Sequence, residues 1–119
     1  MSYKTKVQEL YSMIYGGQLL EGFDKFYSEN VSMQEPGEKP RLGKAINRTY
    51  EENFIGSISS INGGGIDGIT ADEDNGITMV ESWMDVTFKD GNQVRLEQIA
   101  RQKWEGEQIV EEKFYYNKG

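Results

Sequence analysis

The fold is decided by one stretch, residues 77–104, which reads ITMVESWMDVTFKDGNQVRLEQIARQKW. Apolar and polar side chains alternate on both sides of the turn sequence DGN at 90–92, and an alternation with a period of two is typical of β-strands. We therefore predict a long antiparallel hairpin whose turn is centred on Gly91. This turn would pair Phe88 with Val94 and align the even-numbered positions across the two strands.

One face of this hairpin is expected to point into the protein, and we assign the even-numbered positions to it. These positions are Val80, Ser82, Met84, Val86 and Phe88 in the first strand and Val94, Leu96, Gln98, Ala100, Gln102 and Trp104 in the second. Polar groups inside a protein need hydrogen-bond partners. We therefore expect Ser82, Gln98 and Gln102 to meet helix side chains or to line a wet cavity.

The residues before this hairpin carry the spacing of helices. The apolar stripes are Val7, Leu10, Tyr11 and Ile14, then Leu20, Phe23, Phe26 and Tyr27, and finally Ala45, Ile46, Thr49, Tyr50 and Phe54. A short extended piece is predicted at 31–35, and strand-like runs cover 58–72, 77–88, 94–104 and 109–116. Helices followed by long strands indicate an α+β fold, one domain over residues 1–119, with three N-terminal helices packed on a curved, mostly antiparallel sheet.

The composition excludes several classes of function. The chain has 119 residues, with 13 basic and 20 acidic side chains, a net charge of −7, no His and no Cys. Nucleic-acid binding needs clustered Lys and Arg, so we expect no nucleic acid as a partner. Cys/His metal sites, Cys nucleophiles and His bases are excluded, which leaves proton chemistry to Asp, Glu, Tyr or Lys.

Nothing in the sequence predicts a membrane segment or a secretory signal. The first residues lack an apolar run, and no stretch approaches the about 18 apolar residues that a membrane-spanning helix requires. We therefore expect a soluble, cytoplasmic protein with no membrane partner.

Two short motifs suggest ligands but lack the required context. Residues 63–68 match the glycine spacing of a dinucleotide-binding loop, yet the strand pattern continues through Ile66 where a helix should begin. Glycines that permit a bulge in a long strand explain this run better. Asp72 and Asp74 loosely suggest a calcium loop, but Trp83 stands where the last ligand should be. We expect neither a cofactor nor a metal ion.

The order of several loose motifs resembles the nuclear transport factor 2-like superfamily, and within it the SnoaL-like polyketide cyclase and ketosteroid isomerase branch. These motifs are Tyr11 followed by Gly16-Gly17, the run FYSENV at 26–31, Glu35-Pro36-Gly37, Arg41-Leu42-Gly43, the hairpin from Trp104 to Ile109, and Phe114-Tyr115-Tyr116. The resemblance implies a cone-shaped α+β barrel around an interior pocket. It also implies a homodimer through the outer sheet face, where Trp83, Ile99 and Tyr115 lie.

The resemblance also implies roles for single residues. Ketosteroid isomerases use a Tyr on the first helix to stabilise the substrate oxyanion and an acid before a Pro as the base, which match Tyr11 and Glu35 here. The second acid of those isomerases corresponds to Ala100, and the Asp in the final strand of SnoaL-like cyclases corresponds to Phe114. Glu112 shares the parity of Phe114 and is a further candidate for the interior.

Three functions follow as alternatives from these residues. The first is the binding of a small, largely apolar ligand in the interior pocket, the second is cofactor-independent isomerisation, cyclisation or dehydration, and the third is a non-catalytic dimeric interaction module. The predicted catalytic pair is Tyr11 and Glu35. The predicted ligand-binding residues are Tyr15, Tyr50, Phe54, Met84, Val86, Gln98, Ala100, Gln102, Glu112 and Phe114.

Overall fold

The computed structural model describes residues 2–118. Its helices and strands, in chain order, are α1 Tyr3–Tyr15, α2 Leu19–Phe26, β1 Tyr27–Gln34, β2 Arg41–Leu42, α3 Lys44–Ser57, β3 Ile58–Asp72, β4 Ile77–Phe88, β5 Gln93–Glu105 and β6 Gln108–Tyr115. The predicted α+β class and the three helices before the long strands are confirmed. Within this described part of the chain, no helix is long and apolar enough to cross a membrane.

The six strands form one curved sheet in the order β2-β1-β6-β5-β4-β3. Every neighbouring pair is antiparallel except β1 and β6, which run parallel. Among the described residues the two edge strands, β2 and β3, do not pair with each other, so the cone is an open one rather than a closed barrel. Its concave side is the face that the helices cover.

The β4–β5 hairpin confirms the predicted inner face but not the predicted register. The Phe88 amide donates to the Asn92 carbonyl over 2.8 Å, and Val86 rather than Phe88 pairs with Val94. The turn is therefore centred one residue earlier than expected, on Asp90. Because the register differs by two residues, which is one full period of a strand, the same side chains still point inward.

The glycine-rich run lies in β3, which continues through it with register shifts, as the sequence predicts. A side chain at Gly64 would place its Cβ 2.5 Å from the ring of Tyr15. The Tyr15 hydroxyl in turn donates to the Gly65 carbonyl over 2.9 Å. The glycines therefore make room for a tyrosine of α1 against the sheet.

The packed half of the molecule is centred on Trp104, which is 2% exposed. Its ring stacks on Tyr3 at 5.4 Å between centroids and meets Phe26 edge-on at 6.0 Å. Val7 and Leu10 of α1 belong to the same apolar cluster and are also buried. Helices α1 and α2 are thus held to the sheet by apolar contacts.

Helix α3 faces the sheet differently from the predicted stripe. Ile46 is 54% exposed, and Ala45 and Thr49 also face solvent. The buried residue is instead Asn47, whose amide donates to the carbonyls of Arg41 and Gly43 over 2.9 and 2.8 Å. Because hydrogen bonds rather than apolar contacts hold the start of α3, hydrophobic periodicity predicts its inward face poorly.

The second helix and β1 meet earlier than predicted. Tyr27 begins β1 instead of closing the helix, and its ring stacks on Phe23 at 4.7 Å. The strand therefore spans Tyr27–Gln34 rather than the short piece expected at 31–35.

Candidate functional site

A cavity of about 400 Å³ lies between the helices and the inner face of the sheet. Tyr11 and Glu35, the predicted catalytic pair, both border it. So do seven of the predicted ligand-binding residues, namely Tyr15, Tyr50, Phe54, Met84, Gln98, Glu112 and Phe114. Strand parity and helical spacing therefore predict much of the cavity wall.

Three predicted ligand-binding residues lie outside the described cavity wall, namely Val86, Ala100 and Gln102. All three are completely buried. Ala100 is covered between Val80 and Phe114 on the neighbouring strands. These residues point inward as expected, but packing on the inner face buries them away from the cavity.

A chain of hydrogen bonds runs from the packed half to the cavity wall. The Trp104 indole donates to the Thr78 hydroxyl over 2.9 Å. That hydroxyl donates to the side-chain oxygen of Gln102 over 2.7 Å. The Gln102 amide then donates to Glu112 over 2.7 Å, and the Tyr27 hydroxyl donates to the other oxygen of Glu112 over 2.5 Å. Because an indole only donates, the chain fixes the direction of every bond that follows it.

Glu112 is a buried carboxyl with an unusual titration. Its burial raises the pKa to about 7, while the hydrogen bonds from Gln102 and Tyr27 favour the charged form and limit the rise. Burial also raises the pKa of the Tyr11 phenol, and the charge of Glu112 adds to that effect. The phenol therefore stays protonated and can donate a hydrogen bond into the cavity.

Glu35 has a partner for each of its oxygens. Arg41 donates to one oxygen over 2.9 Å, and the Tyr116 hydroxyl donates to the other over 3.2 Å. Arg41 is itself held by Asn47 over 3.0 Å, and its guanidinium stacks 3.6 Å from the ring centroid of Tyr50. Glu35 is thus a fixed, ion-paired carboxylate on one side of the cavity.

The two predicted catalytic residues border the same cavity but belong to different clusters. Glu112, not Glu35, is the carboxyl whose charge acts on Tyr11. Since Glu112 also has the raised pKa, it is the acid that the structure associates with Tyr11.

Glu51 is a site residue that sequence reasoning missed. It lies on α3 and borders the cavity, where burial raises its pKa to about 7, helped by the charges of Glu112 and Glu35. The spacing of Asn47, Glu51 and Phe54, at i, i+4 and i+7, places them on one side of the helix and was the available signal. Among residues 2–118, the acidic side chains form no group of three that could hold a metal ion.

Comparison with known proteins identifies the family of this chain. A family profile described as the SnoaL-like domain matches residues 1–116. The chain belongs to the SnoaL-like domain family. A search of curated proteins gives no match to it.

Solved structures share the fold of this SnoaL-like domain over nearly its whole length. A candidate SnoaL-like polyketide cyclase from Mesorhizobium loti superposes with a TM-score of 0.81 at 19% identity, over 98% of this chain and 100% of that one. A nuclear transport factor 2-like protein of unknown function from Burkholderia pseudomallei gives 0.81 at 15% identity, over 98% and 92%. An epoxide hydrolase of M. tuberculosis, similar to LEH, gives 0.78 at 12% identity, over 97% and 82%. These superpositions establish a common fold.

Proposed function

We propose that this SnoaL-like domain binds a small, largely apolar molecule in its interior cavity. The observation that carries this proposal is a cavity of about 400 Å³ whose wall combines apolar side chains with two polar clusters, one around Tyr11 and Glu112 and one around Glu35. Leu10, Ile14 and Phe23 come from the helices, and Met84 and Leu96 come from the sheet. Ligand sites in proteins have this composition, with many apolar contacts and a few polar groups that orient the ligand.

The orienting groups are those around Tyr11. Its protonated hydroxyl lies beside Ser82 and Gln102, with Glu112 behind them. A polar atom of the ligand beside the Tyr11 hydroxyl would lose its hydrogen bonds to water and form hydrogen bonds to side chains that are already in place. The apolar part of the ligand would then extend towards Met84 and Phe54.

The test is a binding measurement with a neutral aromatic probe, 2-naphthol, followed by fluorescence and by the NMR shift of the Met84 methyl group. Ile14→Trp fills the cavity from α1 and should abolish binding. Met79→Trp is the matched control, because Met79 is 42% exposed on the outer face of β4. Equal binding by both variants would refute the proposed location.

Proton transfer is the second candidate function. The observation that favours it is Glu112, a buried carboxyl with a pKa of about 7 next to the Tyr11 phenol. A carboxyl that titrates near working pH can serve as general acid or base, and a phenol can stabilise an enolate. Related structures named as a candidate cyclase and as an epoxide hydrolase are consistent with such chemistry in this fold.

An isomerisation assay can assign the base. With cyclohex-3-enone as substrate, we expect Glu112→Gln to lose activity and Glu35→Gln to keep most of it. The opposite result would support the sequence-based assignment of Glu35. Absence of any conversion, together with normal 2-naphthol binding, would leave the protein as a binding module without this activity.

We also propose that the protein forms a homodimer through the outer sheet face. Ile99 and Tyr115 are cross-strand neighbours there and are 43% and 47% exposed. Trp83 lies on the same face, with the guanidinium of Arg95 4.1 Å from its ring centroid. Exposed apolar and aromatic side chains of this kind are typical of interfaces. Sedimentation should give a dimer that Ile99→Lys dissociates, and a monomeric wild type would refute the proposal.

A further inference from the structure

The charges on the cavity wall are strongly unbalanced. Three carboxyls border the cavity from the inner side of the fold, those of Glu35, Glu51 and Glu112, whereas Arg95 and Glu97 occupy odd-numbered positions of β5, on the outer face. One of the three is paired, because Arg41 binds Glu35 over 2.9 Å. Glu51 and Glu112 form no ion pair within residues 2–118, although the charge of Arg41 acts on both.

Those two carboxyls differ in their surroundings. Glu112 accepts hydrogen bonds from Tyr27 and Gln102 and is 2% exposed. Glu51 accepts no hydrogen bond and forms no ion pair within residues 2–118, and its side chain borders the cavity. Glu51 is half-buried, and a carboxylate that is partly withdrawn from water without a hydrogen-bond donor is unfavourable. A ligand that supplied a positively charged donor would remove this cost.

Aromatic side chains make the same wall favourable for a cation. Tyr50 and Phe54 lie on α3 beside Glu51, and Phe114 and Tyr15 border the cavity from the sheet and from α1. Aromatic rings attract ammonium groups through their negative faces. Arg41, the cation next to this wall, is already paired with Glu35 and stacked on Tyr50, although its Nη1 has no hydrogen-bond partner within residues 2–118.

We propose that the ligand of this cavity carries a protonated amine, and that Glu51 is the group that binds it. The inference rests on the proposed binding function and names the ligand class for that same cavity. The ammonium group would donate to the Glu51 carboxylate, and the apolar remainder would occupy the space towards Met84 and Leu96.

The charged groups around Glu51 determine how binding depends on pH. They are Glu112 on β6, Glu35 directly after β1, Arg41 on β2, and the hydroxyls of Tyr27 and Tyr50. An ammonium group prefers the ionised carboxylate, and the pKa of Glu51 is about 7. Affinity for an amine should therefore rise by about tenfold from about pH 6 to about pH 8 and then level off.

The experiment titrates three probes of one shape, benzylammonium, benzyl alcohol and benzoate, by calorimetry. Glu51→Gln tests the proposed residue. Glu52→Gln is the matched control, because Glu52 is the next residue on α3 and pairs with Arg48 at the surface over 2.6 Å. We expect benzylammonium to bind most tightly, and Glu51→Gln to weaken it by about tenfold or more while leaving benzyl alcohol unchanged. Glu52→Gln should change neither.

The outcomes separate this inference from the function on which it rests. Equal affinities for benzylammonium and benzyl alcohol, or a Glu51→Gln variant that binds the amine normally, would refute the amine proposal alone. Binding of 2-naphthol without any binding of benzylammonium would also refute it. If 2-naphthol does not bind either, the proposed binding function fails as well. Should Glu51→Gln not fold, the pH dependence of the wild type decides, since a flat profile overturns the proposal.

Discussion

The same two strands, β4 and β5, build two halves of the molecule that differ in packing. In the packed half, Val80, Ala100 and Trp104 are 0–2% exposed beneath α1 and α2. In the open half, Met84 and Leu96 point to the same side of the sheet but remain partly exposed and border the cavity. The strand alternation is the same in both halves of β4 and β5, so the difference in burial comes from what covers each half.

The helices explain the difference. Helix α1 buries Val7, Leu10 and Tyr11 against the sheet, whereas Asn47 is the residue that α3 buries. Apolar burial stabilises a contact in proportion to area, so α1 closes against the sheet. Helix α3 is held at one end by hydrogen bonds and leaves a space, and the candidate binding groups border that space.

The largest expected effect is a loss of stability when the centre of the packed half is removed. Trp104→Ala removes a buried indole and should destabilise the fold by about 3–5 kcal/mol, because a large cavity remains. Phe54→Ala, at the open half, should cost only about 1 kcal/mol, since water already reaches that wall. Urea denaturation measures both. Equal losses would mean that the two halves are packed equally well.

Removing a hydroxyl should also destabilise the packed half more than the open half, with a smaller difference in the free energy of unfolding. Thr78→Val leaves the Trp104 indole and the side-chain oxygen of Gln102 without their hydrogen-bond partner. This should lower the free energy of unfolding by about 2–3 kcal/mol. Ser82→Ala removes a hydroxyl beside the cavity, where water can replace it, and should cost under about 1 kcal/mol. Thermal unfolding of the two variants gives the comparison, and a larger loss in Ser82→Ala would contradict it.

Two glycines compare how tightly α1 and α3 are packed against their surroundings. Gly64→Ala forces a methyl group against Tyr15, 2.5 Å away in the present geometry, and should destabilise by about 1–3 kcal/mol. Gly56→Ala, near the end of α3, meets nothing within 4 Å and should be neutral or stabilise by up to about 1 kcal/mol. Denaturation midpoints measure both, and a destabilised Gly56→Ala would show that α3 is tightly packed at this end.

The last prediction is a gain in stability that depends on pH. The folded pKa of Glu51 is about 7, above its ordinary 4.5, so the folded state holds this proton more tightly and stability falls as pH rises between these values. Glu51→Gln removes this loss and should stabilise by about 1–2 kcal/mol at about pH 8, with little effect near pH 4. Glu52→Gln should show no such pH dependence. A constant effect of Glu51→Gln on the free energy of unfolding across pH would contradict a raised pKa for Glu51.

Much of the fold could be predicted because its signals are local. The alternation through residues 77–104 identified the inner face of β4 and β5, and an error of two residues in register did not change it. The glycines at 63–68 were correctly assigned to a strand for the same reason. Helix α3 was the exception, because Asn47 and Glu51 point inward for reasons of hydrogen bonding and charge that an apolar stripe does not contain.

The candidate site was predicted in outline and not in its connections. Tyr11, Glu35 and Glu112 were all recognised, yet nothing local indicates that Arg41 binds Glu35 or that Tyr27 binds Glu112. Arg41 and Glu35 are six residues apart, on either side of the loop between β1 and β2, whereas Tyr27 and Glu112 are 85 residues apart. The contact between Tyr27 and Glu112 depends on the parallel pairing of β1 with β6, whose register shifts between Tyr27 and Ser32.

The sequence by itself therefore determined the order of helices and strands, the face of each long strand that points inward, and the residue types available for chemistry. Periodicity and composition carry that information, since each is a property of neighbouring residues. Only the tertiary structure decided which inward residues are buried beneath α1 and which border the cavity. It also decided which carboxyl is paired, which is hydrogen-bonded and which is left open, because pairing and burial depend on contacts between distant parts of the chain.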